Sequence, residues 1–524
     1  MGYKTNGFKL GAALLMGIIV LLLPRPEGSL FHIKNDPGKT LARALEDKFT
    51  LVPTKESPGY QLKAKTPGSP DASAQFIANK ALELELSQVQ VTHVDGLSPR
   101  GKRFLAVLTV LVILFVLEPI PLEITAILIG ASLVTLRIAD VKTAWAPYMH
   151  PVVIFIMCCL IFAVALDKVG LTQRLGYFII QRAGNSVVRF TFILSLGLGL
   201  ASSFMHDAAA CAIGIITMRP LMERAGIKPH TNTAKFMMLS LPFACSSGGM
   251  GTLVGGGRCM VSAAFLKEFT GIEISFLEWI IYAMPAAIIT VPISILVVYL
   301  VYPPDPTFKL PSFTKQLPPL SWNEKKTLGI MGGVFLLWLT KGLHGMDYSV
   351  TGIFGITALV LWDILNWKDI NHNLEWGTAL FIFGGGISLG LAMGYSGAAN
   401  YFAHLFFPYI QGKGWLVLFI GVGLFGALMT NAMANVAAAA LILPIVIPMA
   451  QLEGVDPTIL ALCLGMATSF AMLLVIGCPP NAIAYSHKFF KASDLTRLGL
   501  VATPVLLTVL VLVALVWWKL LGLV

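Results

Sequence analysis

The chain has 524 residues, 56% of them hydrophobic and only 12% charged, with a formal net charge of +10 and a mean hydropathy of +0.78. A soluble globular domain carries about 25% charged residues, which excludes that class, and apolar runs of roughly 20 residues recur as in a polytopic helical membrane protein. The positive balance fits Lys and Arg gathered in cytoplasmic loops and gives no argument for a nucleic-acid partner.

Residues 8–24 are apolar apart from Lys9, with Lys4 just before them. The next stretch, Pro24-Arg-Pro-Glu-Gly28, has no small-residue cleavage pattern, so residues 1–27 are expected to hold a retained first transmembrane helix. Residues 28–102 break the pattern with mixed charge and several Pro and Gly. Within them 76–91 has a helical pattern and the rest reads as loop. Spans follow near 103–117 and 122–136, separated by Glu118-Pro-Ile-Pro121, and near 151–166; a basic amphipathic stretch covers 167–189. A long apolar run at 190–217 and another at 236–265, broken by Ser246-Ser-Gly-Gly-Met-Gly-Thr-Leu-Val-Gly-Gly-Gly257, lead to a span near 279–302. After a linker at 304–327 come spans near 328–340, 350–366, 377–395, 415–450, 459–485 and 498–521.

The two halves, 103–303 and 328–524, carry the same order of events: a helix rich in small residues, a long apolar run with a polar break, then a helix interrupted by Gly or Pro. Read as re-entrant hairpins, 190–217 and 415–450 return to the side they entered, and eleven crossings remain, with the halves in opposite topology. With the N-terminus in the cytoplasm, most short-loop Lys and Arg fall inside, Lys309 and Lys315 of the linker among them. Arg137, Lys142, Lys267, Lys341 and Lys413 fall outside. The same model puts 28–102 and the C-terminus outside a plasma or inner membrane. The fold class expected is therefore an all-α polytopic membrane protein with two re-entrant hairpins and inverted repeats.

Paired interrupted helices mark the midplane site of a transporter, because backbone N–H and C=O groups freed by a break are tolerable only against protein, water, ions or substrate. In the first hairpin, Ala201-Ser-Ser-Phe-Met-His-Asp-Ala-Ala-Ala-Cys211 sets His206 beside Asp207 in a run otherwise free of charge. Such an Asp costs at least roughly 2.5–3.5 kcal/mol at bilayer depth and is expected to face a polar cavity as an ion or substrate site, or else to make a helix–helix hydrogen bond. In the second, Thr430, Asn431 and Asn435 are the strongly polar side chains, and amide, hydroxyl and carbonyl oxygens suit a hard cation such as Na+; inter-helical hydrogen bonding is the plainer alternative. Three roles are open to Arg258: pairing with Asp207, contacting an anionic substrate, or pointing to the outer aqueous face. His206 suggests H+ coupling, since imidazole titrates near neutral pH. The cysteines fall in apolar segments with no metal-ligand spacing and read as small packing residues. HExxH and GxSxG motifs and paired facing carboxylates are absent from the sequence, so an enzyme is not expected.

At these breaks the chain resembles the divalent anion/sodium symporter (DASS) family of secondary transporters. Ser247-Gly-Gly-Met-Gly-Thr252 and Pro479-Pro-Asn-Ala482 match its helix breaks, His150-Pro-Val-Val153 and Glu118-Pro-Ile-Pro121 its earlier spans. Where the family usually shows Ser-Asn-Thr, the chain has His206-Asp-Ala208 and Ala434-Asn-Val436. Where Thr-Pro-Pro-Asn is common, it has Gly256-Gly-Arg-Cys259. The resemblance implies scaffold and transport domains, a homodimer, and elevator-like transport of dicarboxylate, citrate or sulfate, often with Na+. It implies cation sites at Ser202, Asp207 and Gly249, and at Thr430, Met433, Asn435 and Gly477. The implied substrate contacts are His206, Asp207, Arg258, Asn435, Cys478 and Pro479. The competing readings are a cation/proton antiporter or oxyanion permease of the same superfamily, and a non-transporting receptor or scaffold working through 28–102. No cofactor is expected beyond a coupling ion.

Overall fold

The computed structural model describes residues 7–26, 28, 30–52, 59–65, 74–84, 86, 88–93, 96–117, 119–183, 185–308, 310, 319–374, 376–410 and 412–524. Lys4, Glu27, Glu85, Ser87, Glu118, Lys309 and Lys315, used in the sequence reading, lie outside these residues. The chain divides into two compact units. One comprises Met1–Pro147, Ser388–Gly414 and Pro444–Gly454; the other comprises Tyr148–Ile387, Trp415–Leu443 and Val455–Val524.

The first unit begins with α1 (Gly7–Leu22), the apolar helix expected there. It then departs from the sequence reading. The described residues between 28 and 97 are not a loop around one helix but a small α/β domain, so the chain is mostly helical rather than all-α. Its elements are β1 (Leu30–Lys34), α2 (Thr40–Ala44), β2 (Phe49–Val52), β3 (Tyr60–Ala64), α3 (Ala74–Glu83) and β4 (Gln90–His93). The helix expected at 76–91 stops at Glu83 and its tail becomes strand β4. The sheet is antiparallel in the order β2-β3-β1-β4, a split β-α-β arrangement repeated once. Phe31 and Ile33 alternate onto one face of β1, opposite Leu62 and Tyr60. With Leu41, Leu45, Phe49 and Ile77 they form a core of its own. The domain's ends are pinned together where Leu97 N donates to Pro26 O at 3.1 Å. Helix α4 (Pro99–Leu117) returns along α1, where a Cβ on Gly17 would lie 2.4 Å from Val110. Next come α5 (Leu122–Thr135) and the short α6 (Val141–Trp145).

The second unit opens with α7 (Pro151–Lys168), α8 (Leu171–Ala183), the hairpin α9 (Val187–Ala201) and α10 (Asp207–Arg224), the broken helix α11 (Asn232–Gly248) and α12 (Gly257–Thr270), and α13 (Phe276–Val301). Then follow α14 (Trp322–Leu339), α15 (Lys341–His344), α16 (Tyr348–Leu361), α17 (Trp367–Asn373) and a π-helical turn, Gly377–Ile382, that runs into α18 (Phe383–Tyr395). Helix α19 (Ala398–Ile410), which with residues 388–395 of α18 is grouped in the first unit, leads along the chain to the second hairpin, α20 (Gly414–Ala432) and α21 (Asn435–Glu453, grouped in the first unit from Pro444). The second broken helix is α22 (Pro457–Ala467) and α23 (Pro479–Ser486), and α24 (Ala492–Val513) follows. The order from α7 to α13 thus recurs from the π turn to α24. Helix α19, unforeseen in the sequence reading, stands where α8 stands in the first half.

Among the described residues five helices are long and apolar enough to cross a membrane, and six shorter helices are apolar as well. Large apolar side chains such as Leu300, Leu361 and Val516 remain exposed on their outer faces, as lipid contact requires. In the second unit α12 packs along α22, and α23 along α10 and α11, so each broken helix rests on elements of the other half.

Candidate functional site

Each half supplies one hairpin tip and one helix break. Helix α9 ends at Ala201 because the next residues turn back on their own hydroxyls. Ser202 Oγ donates within reach of Gly199 O (2.6 Å) and Cys245 O (2.7 Å), and Ser203 Oγ donates to Gly248 O (2.7 Å). The contact is so close that a Cβ on Gly248 would lie 1.7 Å from Gly199 O. Helix α10 then starts at Asp207, with His206 as its cap: Ala208 N donates to His206 Nδ1 at 3.3 Å. The same Nδ1 lies 3.2 Å from Asp207 Oδ1, an oxygen with no hydrogen-bond partner. A bare Nδ1 serves Ala208; a protonated one serves Asp207.

The second tip follows the first at the same spacing, Thr430 for Ser202, Met433 for Met205 and Asn435 for Asp207. Turned so that both ends find partners, the Asn435 amide donates to Gly477 O (2.9 Å) and Thr430 Oγ1 (2.7 Å) and accepts from Arg258 Nη1 (3.2 Å). Thr430 Oγ1 in turn donates to Thr468 O at 3.3 Å. The backbone freed between α22 and α23 is paired by side chains. Leu473 N and Leu474 N donate to Asn431 Oδ1 (2.6 and 3.3 Å), and Asn481 Nδ2 donates to Ala471 O (2.7 Å). These bonds answer the requirement that a buried backbone polar group find a partner.

Arg258 ties the halves of the site. Counted from the helix caps Gly256 and Cys478, it stands where the second half has Pro480. Its guanidinium donates from Nη1 to Asp207 Oδ2 (3.0 Å), from Nε to Ser469 Oγ (2.7 Å) and from Nη2 to Ser246 O (3.1 Å). Arg258 and Asp207 are both buried, at 2% and 1% exposure. Of the three roles open to Arg258 in the sequence, the geometry selects pairing with Asp207, and an outward-facing position is excluded by that burial.

Most of the residues expected at the site thus meet. Cys478 joins them through Ser246 Oγ (3.5 Å), and Cys211 Sγ reaches Pro480 O (3.6 Å). Gly249 lies against the guanidinium, and Pro479 is exposed at the start of α23. Met433 is buried in the break between α20 and α21. Ser202 is taken up by backbone acceptors of α9 and α11. Ser246 enters the sequence reading only as the first residue of the Gly-rich break, and Ser469, beside Thr468 in an apolar run, has no signal there that sets it apart from a helix-packing residue. The seven cysteines are free thiols.

These contacts draw the N-termini of α10, α12, α21 and α23 to one buried polar cluster. A polytopic helical chain with irregular backbone gathered this way is a membrane transporter. It belongs to the divalent anion/sodium symporter family: residues 85–524 match the sodium:sulfate symporter transmembrane region. The match leaves β1 to α3 outside. The chain is 26% identical to an uncharacterized transporter of Haemophilus influenzae, covering 80% of this chain and 92% of the relative. It is 25% identical to the sodium-dependent dicarboxylate transporter SdcS of Staphylococcus saprophyticus, covering 80% and 86%. The solved structure of Neisseria gonorrhoeae MtrF, described as illuminating a class of antimetabolite efflux pumps, shares the fold with a TM-score of 0.54 at 13% identity, covering 97% of this chain and 94% of that one.

Proposed function

We propose that this chain is a secondary active transporter of a small anion such as a dicarboxylate, citrate or sulfate, coupled to Na+ or H+ and working by elevator-like alternating access. The observation that carries the reading is the meeting of four helix N-termini at one cluster. Each brings the positive end of a helix dipole, about half an elementary charge, which favours an anion. The naming of the relative SdcS for sodium-dependent dicarboxylate transport points the same way.

For the cation, the Thr430 hydroxyl and the carbonyls of Thr468 and Gly477 offer neutral hard oxygens suited to Na+, with the Asn435 amide bridging Thr430 and Gly477. H+ coupling has its own support. His206, at 26% side-chain exposure, holds its Nδ1 between the Ala208 amide (3.3 Å) and Asp207 Oδ1 (3.2 Å), where a bare nitrogen accepts from the first and an N–H donates to the second. Uptake of labelled succinate, citrate and sulfate into proteoliposomes, with Na+ and H+ gradients imposed separately, tests the proposal. At least one anion is expected to accumulate under one of the gradients and to fail to do so in Asn435→Ala. Accumulation of none of them under either gradient overturns it. Light scattering of the purified protein checks the expected homodimer, and labelling of single cysteines from each side of the vesicle checks a cytoplasmic N-terminus.

A further inference from the structure

We infer that the Arg258 guanidinium is a built-in cation, occupying an oxygen cage in the first half of the site that would otherwise hold a free monovalent ion. The inference rests on the proposal above that oxygens of the second half hold a cation, and assigns the charge in the first half to the chain itself.

The guanidinium is met by four oxygens of the kinds that bind hard cations. They are the Asp207 carboxylate (3.0 Å), the Ser246 carbonyl (3.1 Å), the Ser469 hydroxyl (2.7 Å) and the Asn435 amide (3.2 Å). They come from four separate segments: the first hairpin, the end of α11, the break after α22 and the second hairpin. The backbone is shaped around the group. A Cβ on Gly256 would lie 2.7 Å from Nη1, and one on Gly249 would lie 2.9 Å from Nη2. Part of the glycine content of the 248–257 break is therefore room for a guanidinium. A single charge balances Asp207 at a depth where water is excluded, and a second cation in the same cage would meet like-charge repulsion with little screening. At the matching place in the second half, Asn435 replaces Asp207 and Pro480 replaces Arg258, so that half supplies neither a carboxylate nor a cation of its own.

Removing the side chain should leave an oxygen-lined void beside an uncompensated carboxylate, which Na+ can enter. The test is thermal unfolding of the full chain in detergent, titrated with NaCl against choline chloride at fixed ionic strength. Arg258→Ala should unfold earlier than wild type in choline and gain a Na+-dependent rise on the order of a few degrees beyond the wild-type response. Asp207→Asn/Arg258→Ala, lacking the carboxylate, and Arg258→Lys, keeping a cation, should both respond as wild type does. A Na+ response of Arg258→Ala equal to that of wild type overturns the inference. Should Arg258→Ala fail to fold, equilibrium binding of radioactive Na+ to wild type decides. One ion or none per chain supports the built-in cation, and two overturn it. Absence of anion uptake would sink the proposed function while leaving this result standing, so the two can fail separately.

Discussion

The tips Ser202-Ser-Phe-Met-His-Asp207 and Thr430-Asn-Ala-Met-Ala-Asn435 hold the same place in their halves and share a hydroxyl, a methionine and a helix-starting Asp or Asn at the same spacing. They solve the burial of broken backbone by different means. The second half does it with neutral groups: Asn431, Asn435 and Asn481 close the open amides and carbonyls of residues 468–478. The first half has exchanged an amide for the carboxylate of Asp207 and set Arg258 two residues into the following helix to balance it. Neither change is tolerable alone at this depth, because a lone buried charge costs several kcal/mol while a hydrogen-bonded pair holds its own. The comparison teaches that the two substitutions act as one, and that the halves should respond unequally to equivalent mutations.

The largest difference is expected from the charges. Asp207→Asn strands the Arg258 guanidinium and should cost about 3–5 kcal/mol of stability. Asn435→Ala leaves two neutral groups unpaired and removes one oxygen from the guanidinium but not its counter-charge, and should cost about 1–3 kcal/mol. Thermal or denaturant unfolding of the two variants measures the gap, and equal losses would remove the electrostatic asymmetry. The glycines come next. Gly248→Ala would drive a methyl into Gly199 O at 1.7 Å, where backbone must move, whereas a Cβ on Gly477 meets its nearest atoms at 3.3 Å. Overpacking of the first kind costs about 1–3 kcal/mol or more, and Gly477→Ala should lose clearly less in the same assay. His206→Ala should lose about 1 kcal/mol as a cap. Its sharper effect should be on the pH profile of uptake, which flattens if His206 carries the coupled proton; Ala434, its counterpart in the second half, has no group to titrate.

Much of this was legible before any coordinates. Apolar length marks the spans, and the polar residues inside them, His206, Asp207, Thr430 and Asn435, mark both tips, because intramembrane polar groups are scarce enough to be informative. Partners were not legible. Arg258 and Asp207 are 51 residues apart and Arg258 and Ser469 are 211 apart, and sequence carries no distance across such gaps. The domain at 28–97 was missed for a local reason. Its strands are four or five residues long and bounded by Pro and Gly, so each looks like a loop until β1 is seen paired on both sides. Helix α19, 13 residues with Asn400 and His404 among apolar neighbours, is too short to stand out as a span.

The smallest expected contrast lies at the far ends of the broken helices, outside the spans, and is a matter of pH. Beyond α12, Glu273 is clamped by Lys341 and by Lys267 (3.0 Å), and the Lys341 ammonium holds its carboxyl below the usual value of 4.5 against the effect of partial burial. A depressed carboxylate contributes stability that is present above its unfolded value and is lost as pH falls through the lower folded one. Beyond the shorter α23, burial and then the nearby Arg219 push the His487 imidazole below 6.5. There the neutral form is favoured in the fold, so stability declines as pH drops below 6.5 toward the folded value. Acid should therefore loosen the end of the second half first. Unfolding midpoints of His487→Gln should part from wild type between neutral pH and the Glu273 range. Those of Glu273→Gln should run below wild type by about 0.2–1 kcal/mol near neutrality and meet it once the carboxyl protonates. If Glu273→Gln instead diverges from wild type only above pH 6.5, the clamp is not what holds that end of the first half.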